Sequence, residues 1–433
     1  MHPLFILIVA LTAISNAAIA DQFLRDQEIS FRANSIEDKV IDWRRNIHQN
    51  PELGNREFRT STLIANHLRS LDFDEVRTHV AHTGVVGLLH GGHPGEVVAL
   101  RADMDALPVT EETGLPFASK VRTIYNEQDV GVMHACGHDA HVGMLMGVAE
   151  ILSGMRDRIP GSVKFIFQPA EEGPPEGEAG GAALMVAEGA LENPKPSAIF
   201  GLHIGTRDLN TLHYASGPMH ASADVLRIHV EGKQTHGASP WRGVDPIVAA
   251  SQIVLGLQTI HSRQIDTREA AVISIGSIHG GVRHNIIPRD VDLIGTIRTH
   301  NPIIRAEIKD RIHRVATNIA ASTGAVATVS YGFGVPVNVN APHLVEQMLP
   351  TLKRVAGESA VLQQPPVMGY EDFAYFQQQV PGMFVFLGAR PNGTPKNEAA
   401  PNHSPYFLID ESALKLGVRT LASLALDYLH EVP

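Results

Sequence analysis

The chain has 433 residues, 44% of them hydrophobic, with a formal net charge of -11, enough to bury a sizeable core divided over two or three domains. The acidic balance and the lack of any long Lys/Arg run exclude nucleic acid as a partner, because nothing could replace the counterions of phosphate, and disfavour an anionic membrane surface. One cysteine, Cys136, makes an intrachain disulfide impossible.

Residues 4–14 (LFILIVALTAI) form an apolar stretch, and Ala18-Ile19-Ala20 follows with small residues at the spacing signal peptidase needs. Residues 1–20 are therefore expected to be a cleaved signal peptide with Asp21 as the new N-terminus. The protein would then be exported, periplasmic or secreted, with no membrane contact after cleavage. An uncleaved anchor is the alternative, since the start has His2 but no Lys or Arg; the stretch is short for a bilayer span. A lone thiol in an oxidising compartment is a liability unless something protects it, and a metal would do so.

From about 35 to 215 helical and extended patterns alternate, as in an α/β sheet with parallel strands. Ser35 with Asp38 can cap a helix carrying Ile36, Val40, Trp43 and Ile47 at helical spacing until Pro51 stops it. Extended runs follow at 84–89, 97–102, 162–168 and 198–204, and polar clusters come directly after them, where open α/β sheets bind ligands. Between 217 and 333 the order becomes strand (223–231), helix (244–261), strands (271–278, 290–298), helix (303–322) and strand (325–331), the βαββαβ order of a ferredoxin-like unit. Leu226, Ile228 and Val230 alternate with Arg227, His229 and Glu231 in its first strand, and Ile304, Ile308, Ile312, Val315 and Ile319 stripe its second helix. The fold class is thus α/β: a catalytic domain with a mixed sheet flanked by helices, formed by 21–216 and 334–433, and an inserted ferredoxin-like lid or dimerisation domain at 217–333. The catalytic domain would end in an amphipathic 411–430 segment.

The densest polar cluster is HACGHDAH at 134–141, ahead of an apolar helix. A cysteine two residues before a histidine can present a soft sulfur and an imidazole to one ion, and Gly137 lets the backbone turn between them; a helix cap with incidental histidines is the plainer alternative. In QPAEEG (168–173) the adjacent Glu171 and Glu172 point to opposite sides if extended, so one could ligate a metal while the other handles protons. Solvated loop glutamates are the bland reading. His203 in GLHIG and His403 in PNHSP are each, taken alone, more often structural than ligating. Asp103 and Asp105 in RADMDALPV could serve chemistry or merely end a strand in an Asx-turn.

The strings RADMDALPV, MHACGHDAH, FQPAEEG, GLH, GKQTHGASP, HNIIP, GTIRT, GYEDFAYF and NHSPYF, in this order and spacing, resemble the aminoacylase/carboxypeptidase family of dinuclear metallohydrolases. The likeness covers roughly 35–430 and leans to the branch of hippurate hydrolases, N-acyl-amino-acid amidohydrolases and indole-acetyl-amino-acid hydrolases. It implies two divalent metal ions per subunit (Zn, Mn, Co or Ni) held by Cys136, His138, Glu172, His203 and His403, with Glu171 as general base. It also implies that Asp105 orients a ligand histidine, that Asp103 replaces a metal histidine of related peptidases, and that His236, Asn285 and Arg298 contact substrate. His236 would donate to the oxyanion, in cis or across a dimer, and Arg298 would meet the substrate carboxylate.

The implied substrate is a small-molecule N-acyl amino acid, and the implied assembly a homodimer or homotetramer. A carboxypeptidase or dipeptidase on the same scaffold is the runner-up, and a catalytically silent binding protein the reading from another class. Two departures bear on side-chain preference: GPPEGEAGG at 173–181 is longer and richer in proline than the usual loop, and Trp241 stands where the branch commonly has histidine.

Overall fold

A computed structural model of the chain describes residues 20–431. The proposed signal segment, apart from Ala20, lies outside them. Within them no helix is long and apolar enough to cross a membrane.

Residues 20–35 form helix α1, followed by α2 (Glu37–Gln49), α3 (Phe58–Ser70), β1 (Glu75–Val80), β2 (Gly84–His90), β3 (His93–Asp103), the hairpin β4 (Arg122–Tyr125) and β5 (Gln128–Gly131), α4 (His138–Ser153), β6 (Pro160–Gln168), α5 (Gly181–Ala187), β7 (Ala198–Gly205) and β8 (Leu212–Tyr214). Next come β9 (Gly217–His220), β10 (Ser222–Glu231), β11 (Thr235–His236), α6 (Pro246–Thr259), β12 (Ala271–His279), β13 (Ile286–Ile287), β14 (Asp290–Thr299), α7 (Pro302–Ser322) and β15 (Val326–Val335). The chain ends through β16 (Asn338–Asn340), α8 (Pro342–Ala356), β17 (Val361–Gln363), α9 (Ala374–Gln377), β18 (Gly382–Gly388) and α10 (Leu414–Glu431).

Two compact units result. The first holds the described residues through Ser216 together with Asn340–Gln364 and Phe376 onward; the second holds Gly217–Val339 and Pro365–Tyr375. Beyond the 217–333 segment expected from sequence, the second unit thus also carries 334–339 and a separate return at 365–375.

An eight-stranded sheet in the order β1-β2-β6-β3-β7-β18-β8-β17 centres the first unit. Parallel pairing joins β6, β3, β7 and β18, but β1, β2 and β6 pair antiparallel, so the sheet is mixed rather than parallel throughout. Strands β6 and β7 are buried almost end to end, and β3 is buried from Val98 to Asp103, as strands covered on both faces must be. Helices α4 and α10 pack on β3 and β7, α2 lies against α4, and α8 against α10. Contrary to the amphipathic expectation, α10 is buried on nearly every side.

The Ser35 cap is also corrected. Because 20–35 is already helical, the Ser35 hydroxyl donates to Arg32 O (2.7 Å) and closes α1 instead of opening α2. Helix α1 is tied down by ion pairs of Glu28 with Arg158 (2.6 Å) and Asp26 with Arg354 (2.6 Å), and it buries Ile29 and Ala33.

The second unit has a four-stranded antiparallel sheet in the order β12-β14-β10-β15, with α6 and α7 packed together over a core of its own. Leu226, Ile228 and Val230 face that core while Arg227, His229 and Glu231 are exposed. Asp245 and Asn301 cap α6 and α7 by accepting from the first free N–H groups.

Candidate metal centre

The carboxyl ends of β3, β6 and β7, three neighbours in the first unit's sheet, deliver Asp103 and Asp105, Glu171 and Glu172, and His203 to one place. Helix α4 brings the fourth side. Gly137 caps it at φ 96, a left-handed conformation that favours glycine, and a Cβ there would lie 2.5 Å from Ile204 Cγ2. Both constraints put Cys136 and His138 on either side of a turn only glycine fits.

Donor atoms of Cys136, His138 and His203 lie within 4.8 Å of one another, as do those of Cys136, Glu172 and His403, and those of His138, Glu171 and Glu172. Cys136 is shared by the first two groups and Glu172 by the last two. Cys136 Sγ is 3.4 Å from His203 Nε2, and His403 Nε2 lies 2.9 Å from Glu172 Oε1 as an ion pair. His138 donates from Nδ1 to Asp105 O (2.9 Å) and Asp105 Oδ1 (3.1 Å), which fixes its tautomer and turns the Nε2 lone pair inward. That Nε2 is buried with no hydrogen-bond partner. His203 likewise donates from Nδ1 to Ile204 O (2.7 Å). A buried imidazole lone pair without a donor, beside a buried sulfur and carboxylates, is costly unless a cation completes it, so the donor set fits metal.

At His203 the electrostatics agree with that fit, whereas His138, Cys136 and His403 are held protonated without a cation. Burial, with His141 adding, holds the His203 imidazole well below its ordinary value and therefore neutral, as a ligand must be. Burial and then Glu172 push the Cys136 thiol up. Hydrogen bonds to Cys136 and Glu172 push His403 up to about 10. A cation at the centre would displace protons from both.

Residues around this centre hold it in place. Asp105 Oδ2 accepts from Glu172 N at 3.0 Å, so one carboxylate orients both His138 and the Glu172 backbone. Asp103 is set back: it accepts from Arg101 Nη1 (2.7 Å) and from His141 Nδ1. Burial opposes its charge, but His138, Arg101 and His141 outweigh burial and keep it well below the usual carboxylate range. His141 Nε2 in turn accepts from Ile204 N (2.8 Å), so both of its nitrogens are engaged and it buttresses the end of β7. Arg44 (2.7 Å) and His48 (2.8 Å) both donate to Asp139, fastening α2 to the first turn of α4.

Sequence reasoning passed over Glu57. Its buried carboxylate accepts from Ala170 N (2.9 Å) and Thr83 Oγ1 (2.5 Å) and fixes the turn before Glu171, where Ala170 sits at φ 50. Burial, then Asp105, pushes Glu57 up to about 8. His403 is left-handed as well, at φ 72. Such conformations cost about 1–2 kcal/mol each in a non-glycine residue and collect at functional sites. Neither conformation leaves a trace in residue type, and Glu57, set between Arg56 and Phe58 with Arg59 next, carries no signal in its local sequence.

His236, Asn285 and Arg298 belong to the second unit. His236 is exposed in β11, its Nδ1 accepting from Ala238 N (3.0 Å), and Asn285 is beside it through the Gly237 N to Asn285 O bond (2.8 Å). Arg298 lies on β14, its guanidinium 5.2 Å from the centre of the Tyr370 ring and its Nε donating to Thr296 Oγ1 (3.1 Å).

Residues 99–427 match the model of peptidase family M20/M25/M40. The chain is 41% identical over 395 residues to thermostable carboxypeptidase 2 of Saccharolobus solfataricus, covering 91% of this chain and 96% of that one. It is 39% identical over 402 residues to the IAA-amino acid hydrolase ILR1-like 2 of Arabidopsis thaliana, covering 91% and 87%. Among solved structures, a dinuclear metal binding peptidase of Bacillus subtilis superposes with a TM-score of 0.75 at 34% identity, covering 92% of this chain and 100% of that one. With this fold and this donor cluster, the chain belongs to peptidase family M20/M25/M40, a metal-dependent hydrolase acting on amide bonds.

Proposed function

We propose that the protein hydrolyses the amide bond of N-acyl amino acids, hippurate-like or aryl-acyl conjugates, to a carboxylic acid and a free amino acid. One observation carries the reading: two donor groups share Cys136, with Glu171 beside them and 4.0 Å from His138 Nε2. Cys136, His138, Glu172, His203 and His403 would hold two divalent cations drawn from Zn, Mn, Co or Ni. Bound there, such ions acidify water and polarise the amide carbonyl.

Glu171 is 5% exposed and, with Glu172, lies in the turn that follows β6 rather than in extended backbone. Left out of the ligand set, it removes a proton from the attacking water and returns it to the departing amine, a task for a positioned carboxylate. Asp105 keeps His138 in its Nδ1–H tautomer. In the second unit, the exposed His236 is suited to donating to the oxyanion, and Asn285 and Arg298 to holding the substrate's carboxylate, for which a guanidinium fork is well shaped. Export is supported by the 4–14 stretch and the Ala18-Ile19-Ala20 site, and a homodimer or homotetramer by the family resemblance.

The similarity to a carboxypeptidase favours a second reading, cleavage of peptides at their carboxyl end. The test is a panel of N-benzoylglycine, other N-acyl amino acids and free-amine dipeptides, with each of the four metals. Turnover of the acyl amino acids above that of the dipeptides is expected, and the reverse preference would replace the first reading with the second.

A further inference from the structure

A cavity of about 420 Å³ in the first unit lies against the candidate metal centre, with Asp105 and Glu172 among its lining residues. That volume is in the range of small-molecule sites, about 300–1,000 Å³. Leu53, Leu107, Pro108 and Pro175 supply apolar wall, and the β4–β5 hairpin adds Ile124 and Tyr125. Those two are 69% and 36% exposed, large apolar side chains left to solvent on a hairpin pinned by the Arg122–Asp129 pair (3.1 Å).

We propose that this cavity is the acyl subsite and that Ile124 and Tyr125 set a preference for flat aromatic acyl groups over acetyl; the inference rests on the N-acyl amino acid reading above. Position gives the first argument: a group filling the cavity is next to Glu172 and therefore adjoins a bond cleaved at the centre. Charge gives the second. Two of its charged lining groups, Asp105 and Glu172, are carboxylates, and the Arg56 guanidinium that lines it is already paired with Glu178. With that guanidinium committed, the cavity's lining leaves no cationic side chain to hold a substrate's free carboxylate, whereas a neutral acyl end needs none. Size gives the third: acetyl would leave most of the wall without contacts, and an aromatic ring would cover it.

The experiment compares wild type, Tyr125→Ala and Ile124→Ser, loaded with metal, on N-benzoyl-alanine and N-acetyl-alanine. Both positions are exposed, so the fold should tolerate the changes. The ratio of kcat/KM for benzoyl over acetyl is expected to fall about tenfold or more in each variant; an unchanged ratio overturns the subsite. Calorimetric binding of benzoate to metal-loaded wild type and Tyr125→Ala needs no turnover. Binding weakened about tenfold supports the subsite even if neither conjugate is hydrolysed, in which case only the assigned reaction fails. Equal affinities overturn the subsite.

Discussion

Replacing Asp105 with asparagine keeps the side chain's shape and removes one acceptor. In the native protein Oδ1 takes the His138 Nδ1–H at 3.1 Å and Oδ2 takes the Glu172 N–H at 3.0 Å. An amide offers one oxygen, and its NH₂ must face one of those donors. His138 keeps a second acceptor, the Asp105 carbonyl at 2.9 Å, so the loss falls mainly on the Glu172 backbone. Leaving one buried donor unsatisfied costs about 1–3 kcal/mol, and loss of a carboxylate that orients a ligand typically weakens metal binding about 10–100-fold. The two estimates overlap near 2 kcal/mol, since each 1.4 kcal/mol is about tenfold. Asp105→Asn should therefore bind metal about 10–100-fold more weakly, read by competition with a chromophoric chelator, and regain most of its kcat at saturating metal. A variant with wild-type affinity within about a factor of two would refute the role given to Asp105.

Cys136→Ala should lose metal and activity together, while Cys136→Ser keeps some of both, because the sulfur is common to two donor groups; full occupancy in the alanine variant by elemental analysis would remove Cys136 from the ligand set. A third expectation concerns pH and lies away from the metal centre. Lys164, buried in β6 and donating to Glu192 O and Pro194 O (both 2.7 Å), is held at about 8 by burial and then by Arg77, against an ordinary 10.5. Between those values the unfolded chain binds more protons than the folded one, so this group makes stability rise with pH from about 8 to 10.5. Urea melts across that window should show a shallower rise for Lys164→Met, and identical slopes would count against the buried ammonium.

Much of the candidate site was legible because its chemistry is written in residue types at the ends of apolar runs. Cys136 and His138 of HACGHDAH, the Glu171–Glu172 pair, His203 and His403 reach one cluster. The βαββαβ unit was readable for a related reason: Leu226, Ile228 and Val230 alternate with polar residues, and Ile304, Ile308 and Ile312 recur at helical spacing in its second helix. What escaped was tertiary. Residues 365–375 join the second unit without a periodic pattern to announce it. His141 gave no sign in its motif of its supporting role, in which Asp103 and Ile204 occupy both of its nitrogens. Glu57 is 113 residues from the backbone N–H it accepts from at Ala170, and no local rule connects them. Ser35 misled because a helix before it was not foreseen.

The central claim is that Glu171 handles protons while five other side chains hold the metals. Glu171→Gln is nearly isosteric and removes only the base. Metal content and steady-state kinetics should be measured on the same purified sample. The account predicts wild-type metal stoichiometry and an unchanged melting temperature with kcat lowered about 10²–10⁴-fold, the contribution usual for a general base. A variant that keeps more than a few percent of kcat with its metals in place would show that another group takes the proton.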